Sequence, residues 1–141
     1  MRSALLSFLA CVPLAAQTAL TRDANVRSAP NGAVIAVLKA GTTVTLGERR
    51  GDQQSITFDG WLDGTKLGAG KDGFDATLTG PLAMRLRSAP SMKGVILGEV
   101  RPGAGVARGA KQGSWTRVTR SGWVGAAAVG GAAPTVAARP A

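Results

Sequence analysis

The chain repeats itself. Val26-Arg27-Ser28-Ala29-Pro30 returns as Leu86-Arg87-Ser88-Ala89-Pro90, Lys39-Ala40-Gly41 as Arg101-Pro102-Gly103, and Gly60-Trp61-Leu62 as Gly122-Trp123-Val124. The offset is 60 at Arg27/Arg87 and 62 from Gly41/Gly103 onward, so the second copy is longer by two residues, both in its first hairpin. A period near 60 residues is too long for most solenoid units and predicts two small domains in tandem.

The residues ahead of the repeats bear on location. Arg2, the apolar run from Ala4 to Ala10 and the small residues of Leu14-Ala15-Ala16 resemble a secretory signal peptide ending at residue 16, so the mature chain is expected to be periplasmic or secreted. The run is shorter than the roughly 20 apolar residues that span a bilayer. Phe8-Leu9-Ala10-Cys11 also carries a small residue before cysteine, the arrangement of a lipoprotein cleavage site, and anchoring through Cys11 stays open as the alternative. An uncleaved anchor is the third possibility.

Composition excludes several chemistries. Cys11 is the only cysteine and histidine is absent, which leaves a mature chain without internal disulfides, histidine metal sites or a Ser-His or Cys-His nucleophile. No enzyme, cofactor or metal is expected. Of the eight carboxylates, Asp59 and Asp63 flank Trp61, but Asp59-Gly60 and Asp63-Gly64 read as turns rather than as a catalytic pair.

Local patterns predict an all-β chain. Runs rich in β-branched residues at 34–38 and 42–46, the alternation at 54–58, and their counterparts at 95–97, 105–107 and 115–120 are each about five residues long and bounded by glycine or proline signals. No capped helical period is present. Short strands of this spacing suit small barrels, which also remove exposed edges.

With those residues placed, the pattern resembles the bacterial SH3-like (SH3b) domain family. The shared features are an apolar residue before Arg-Ser-x-Pro, an apolar pair, a Leu/Val-x-x-Gly turn, Gly-x-Trp in the second copy at Gly113-Ser114-Trp115, and a closing Gly-Trp-Leu or Gly-Trp-Val. The resemblance implies two tandem small SH3-like β-barrels, at 17–67 and 74–128; the three glycines at 68–73 read as a flexible or turn-rich linker, and the low-complexity end at 129–141 as a disordered tail. It also implies recognition of cell-wall peptidoglycan, or service as an interaction module on exported proteins. Many family members are appended to wall hydrolases, and no hydrolase accompanies these copies.

The copies differ in ways that direct attention to the second. The first has Gly51-Asp52-Gln53 where the second has Gly113-Ser114-Trp115, and strict alternation puts Trp115 and Arg117 on the face away from Val118. That pair would offer an aromatic platform beside a cation for a sugar, a peptide stem or a stacked base; the alternative is half-buried barrel packing. Trp61 and Trp123 occur in both copies and are expected in the cores. Residues 17–67 hold six basic residues against five acidic, whereas 82–128 hold eight basic against Glu99 alone, which draws polyanions in a salt-sensitive way unless it only reflects composition. Arg27 and Arg87 either hold their loops through carbonyl oxygens or clamp a ligand carboxylate. Candidate ligand-binding residues are therefore Arg87, Trp115, Arg117, Arg120 and Trp123.

The expected function is non-enzymatic recognition of envelope material, peptidoglycan or its peptide stems or another anionic envelope polymer, through the basic second copy. The alternative is a periplasmic adaptor that docks another exported protein. Nucleic acid fits the charge, but a leader makes it a less available partner.

Overall fold

Two eleven-residue strands carry the glycine–tryptophan pairs through their interiors and pair with each other and with four of the remaining strands. In chain order the computed structural model has β1 (Gln17–Ala19), β2 (Ala24–Arg27), β3 (Val34–Leu38), β4 (Thr43–Arg50), β5 (Gln53–Asp63), β6 (Leu67–Ala69), β7 (Ala76–Leu78), β8 (Met84–Arg87), β9 (Ile96–Val100), β10 (Gly105–Gln112) and β11 (Trp115–Gly125). A 3-10 turn at Gly64–Lys66 follows β5, and another at Ala126–Val129 follows β11. The structure describes residues 16–71 and 73–130; residues 1–15, with Cys11 and nearly all of the expected signal peptide, residue 72, and residues 131–141 of the expected tail lie outside it.

The all-β expectation holds, and so does the barrel, but its closure differs from that of two separate units. The strands run in the circuit β5-β8-β9-β3-β2-β11 and back to β5, so one six-stranded antiparallel barrel takes three strands from each copy. β5 and β11 pair along their whole length, from Trp115 opposite Asp63 to Gly125 opposite Gln53. On its other edge β5 receives β4 at its start and β8 at Trp61, while β11 receives β10 at its start and β2 at Trp123. Each long strand thus serves the barrel and also carries a satellite ribbon, β1-β4 in one case and β10-β7-β6 in the other.

The repeat becomes a pseudo-twofold axis. Phe58 faces Arg120 and Val37 faces Glu99, and in both pairs the partners occupy the same position of the repeat. Backbone bonds follow the symmetry: Lys39 N–H donates to Leu97 and Arg101 N–H to Ile35, at 2.8 and 2.9 Å. Thr21 N–H donates to Ala128 in the final turn, as Thr79 N–H donates to Lys66, both at 2.8 Å. Each copy is therefore closed by the end of the other.

Asp59-Gly60 is a correction to the expected turn, since both residues lie inside β5. A Cβ on Gly60 would stand 2.6 Å from Leu86 Cγ and 3.1 Å from the Arg87 carbonyl, and one on Gly122 would stand 2.4 Å from Val26 Cγ1. These glycines do not bend the chain; they let β8 and β2 cross close over the long strands. The true reversals are at Gly51 and Gly113, whose φ values of 58° and 61° suit the short hairpins they open.

The connector is also more ordered than expected. β6 pairs with β7 through Leu67–Leu78, Gly68–Thr77 and Ala69–Ala76, and a Cβ on Gly70 would lie 1.9 Å from the Phe74 carbonyl. Packing continues to Val129, which is buried one residue beyond the expected end of the second copy. The interior is one cluster drawn from both copies, including Val26, Leu38, Ile56, Phe58, Leu62, Leu86, Val100, Val118 and Val124. Gln54 is fully buried, and its amide donates to the Gly47 and Glu48 carbonyls, holding the bulge where β4 slips against β5.

Candidate functional site

Alternation along β5 and β11 decides which side chains reach the surface. Residues 54, 56, 58, 60 and 62 point inward and 53, 55, 57, 59, 61 and 63 outward; in β11, Thr116, Val118, Gly122 and Val124 are buried while Trp115, Arg117 and Trp123 lie on the other side. Trp115 and Arg117 do share the outward face, as their spacing predicts. Trp61 and Trp123 share it too, so neither belongs to the buried core; both are half-buried on the outside of the barrel.

Trp115 lines an open groove of about 640 Å³ with Leu82, Met84 and Met92, joined by Asp63, Arg85, Arg87 and Glu99. The groove lies where β8 diverges from β5, the two strands being paired only at Trp61 and Arg87. Leu82 and Met92 are 74% and 72% exposed, unusual for side chains of that size and polarity. Met92 stands in the longer hairpin of the second copy, so the extra length supplies one wall of the groove.

The symmetry-related groove is different. It measures about 320 Å³ and is lined by Arg22, Ala24, Asn25, Arg27 and Gln53 with Gly125, where the first groove has Leu82, Met84, Arg85, Arg87, Trp115 and Asp63. One framework thus carries an apolar groove on one side and a polar one on the other.

No family model, curated protein or solved structure matches this chain. What the grooves can do therefore follows from their chemistry. The described residues contain no helix long and apolar enough to cross a membrane, and no three His, Cys, Asp or Glu side chains placed to hold a metal ion.

The five candidate residues do not form one surface. Arg87 is 7% exposed and donates to the carbonyls of Met92 and Gly94 at 2.9 and 3.1 Å, the loop-holding role; Arg27 does the same to Gly32 at 3.0 Å. Arg117 forms an ion pair with Asp59. Arg120 donates to the Gly105 carbonyl at 2.8 Å and stacks 4.1 Å from the Phe74 ring centroid; burial lowers its pKa from the ordinary arginine value, yet a guanidinium stays charged at neutral pH. Trp123 lies under Arg50, 5.4 Å from ring centroid to guanidinium carbon. Only Trp115 and Arg87 line the large groove, and of its two arginines Arg85, exposed on β8 opposite Glu99, is the one that sequence reasoning did not single out. Its i, i+2 spacing to Arg87 was no guide, because the bulge between Leu86 and Arg87 breaks the alternation and leaves Arg85 exposed while Leu86 and Arg87 are both buried.

Asp63 closes the end of the groove and is itself fixed. Its carboxylate accepts from the Thr65 hydroxyl at 2.7 Å and the Thr65 backbone N–H at 3.0 Å, capping the 3-10 turn. These bonds hold its pKa below the ordinary aspartate value, the hydroxyl bond foremost. Because the folded value is depressed, the stabilisation is present at neutral pH and is lost as pH falls below about 4 through the lowered value. In Thr65→Val the Asp63 carboxyl should titrate at higher pH than in the wild type, measured by carbon-detected NMR.

Proposed function

We propose that the chain is an exported, non-enzymatic binding protein of the bacterial cell envelope, and that its second copy takes peptide-bearing envelope material, peptidoglycan stems first, into the Trp115 groove. The observation that carries this reading is the divergence of the two symmetry-related grooves. Packing alone gives no reason for Leu82, Met84, Met92 and Trp115 to gather on one side while Arg22, Ala24 and Gln53 occupy the other. Binding does, because concave apolar walls with a few polar groups are the usual make-up of ligand sites.

The chemistry suits a short peptide. Small aliphatic side chains would pack on Trp115 and Met84, and the Arg85 guanidinium would meet a carboxylate at the open side. The SH3b-like ancestry of each copy is part of the same proposal, with the motif order Arg-Ser-x-Pro, turn glycine and Gly-Trp present twice as its support. In this view two SH3-like units exchanged strands to close one barrel. The leader-like start supports export.

A second reading, docking of an extended segment of another exported protein, is favoured by the engagement of Arg87, Arg117 and Arg120 with partners in the same chain and by the exposed Leu82 and Met92. Both readings place the ligand in the same groove. The test is co-sedimentation of the full-length mature protein with purified sacculi at low and moderate salt, alongside Trp115→Ala. Binding that survives moderate salt and falls roughly tenfold or more in the variant is the expected result, since truncating a central tryptophan costs about 2 kcal/mol or more at binding sites. Salt-labile binding that is equal in both proteins would sink the proposal. Absence of sacculus binding, with a stoichiometric protein complex lost in the variant, would select the second reading.

A further inference from the structure

We infer that the Trp61 pocket is a carbohydrate site, taking an uncharged pyranose ring against the tryptophan with its hydroxyls on Asp59 and Arg117. It is separate from the Trp115 groove, and the inference stands on the pocket's own geometry.

The pocket, about 320 Å³, lies at the low end of the range for small-ligand sites and is lined by Trp61, Asp59 and Arg117 together with Thr43, Ser88 and Leu97. Trp61 and Arg117 are direct cross-strand neighbours on the outward face, and Arg117 reaches diagonally to Asp59, two residues from Trp61 on the same face. Both charged side chains are about half exposed, so their pairing adds little to stability. Its effect is to hold a carboxylate and a guanidinium side by side next to a half-buried indole.

That set matches a sugar. A pyranose presents C–H groups on its faces, which an aromatic π-face attracts through its negative quadrupole. Around the ring its hydroxyls both donate and accept; a carboxylate only accepts and a guanidinium only donates, so the two together satisfy a pair of neighbouring hydroxyls with charge-assisted bonds. The pair is neutral overall and Asp63 lies one position further along the same strand face, which disfavours phosphates and other anions. A neutral polyhydroxyl ligand fits where a polyanion does not.

The repeat supplies an internal control. The equivalent pocket, about 430 Å³, has Trp123 in place of Trp61 but Ser121 in place of Asp59 and Ser55 in place of Arg117. There Ser121 is bonded to Thr57 at 2.7 Å, and Arg50 stands over the Trp123 ring. The tryptophan, with Ser88 and Gly60 matched by Ser28 and Gly122, is thus part of the shared framework, whereas the acid–base pair belongs to one copy; the sister pocket's own arginine, Arg120, is bonded to the Gly105 carbonyl and stacked on Phe74.

The test titrates the full-length mature protein with chitotetraose and, separately, cellotetraose, followed by the indole N–H resonances in nitrogen-labelled protein and by calorimetry. The expected result is binding of at least one oligosaccharide that moves the Trp61 indole signal and leaves Trp123 in place. Asp59→Ser and Arg117→Ser carry the residues that the sister pocket already accommodates, and each should weaken binding roughly tenfold or more through the loss of charge-assisted bonds, while Trp115→Ala leaves it unchanged. No binding of either oligosaccharide at millimolar concentration would overturn the inference, as would undiminished binding in both serine variants. If Trp115→Ala abolished binding instead, the sugar would belong to the groove and the Trp61 site would be refuted. The wild-type indole shifts decide the matter even if a variant misfolds, and sacculus binding through Trp115 can fail or succeed independently of either outcome.

Discussion

Phe58→Ala should lower stability by about 3–5 kcal/mol, the range for losing a large aromatic from a closely packed core. Phe58 is 2% exposed and among the largest fully enclosed side chains, and it sits on the pseudo-twofold axis opposite Arg120. Its loss therefore opens a cavity between the copies rather than inside one of them. Thermal unfolding should move down by roughly 10 °C or more and remain a single transition. Amide protection in β10 and β11 should fall together with that in β4 and β5, measured by native-state hydrogen exchange. Separate barrels would respond differently, with the second copy keeping its own transition while the first melted early.

Gly98→Ala should be strongly destabilising, because it overpacks the other point where the axis crosses the barrel. A Cβ there would lie 2.2 Å from the Val37 carbonyl oxygen and 2.8 Å from Leu38 Cα, atoms of β3 that cannot move aside as a flexible side chain can. The position corresponds to Ala36 in the first copy. Across the β3–β9 seam, Gly98 faces Leu38 and Ala36 faces Val100, so a smaller residue meets the larger partner and a larger one the smaller. Overpacking at such a junction costs about 1–3 kcal/mol, and the collision with backbone places this case at the upper end. Gly125→Ala is the control. Nothing lies within 4 Å of the added methyl, and its effect should stay within about 0.5 kcal/mol in a denaturant titration.

The parts of the fold legible in the sequence are those fixed by local pattern. β-branched runs, turn glycines at Gly41 and Gly103, and the alternation around Val118 are short-range signals, and they correctly indicated strands and the outward placement of Trp115 and Arg117. The exchange between copies was not legible, for a physical reason. When two copies carry the same motif, a strand finds equivalent pairing chemistry in either copy, and the choice depends on the connector and on complementary sizes such as Gly98 against Leu38. Gly60 illustrates the same difficulty. Asp-Gly is a strong turn signal by itself, and only the presence of Leu86 above it shows why a glycine sits in mid-strand.

For the site, the tryptophans were the instructive case. Burial was expected for Trp61 because aromatics dominate small cores, yet the alternation of Ile56, Phe58 and Leu62 already assigned even positions to the interior and left Trp61 outside. The count of positive charge in the second copy was correct as a count but silent on use. Arg87, Arg117 and Arg120 are engaged by Met92 and Gly94, by Asp59, and by Gly105 and Phe74 respectively, partners that come from other turns or strands and cannot be read along the chain. The groove itself depends on the meeting of Leu82, Met92 and Trp115, separated in sequence and joined by the divergence of β8 from β5.

The central claim is that one duplicated framework binds through one of its two related grooves, and chemical-shift mapping tests it most directly. Nitrogen-labelled protein spanning residues 17–141 would be titrated with soluble peptidoglycan fragments carrying intact stems at moderate salt. The account predicts saturable shifts at Trp115, Met84, Arg85 and Met92, with little change at Ala24, Asn25 and Gln53. Equal shifts at both grooves, or shifts spread over the basic surface that vanish with added salt, would contradict it.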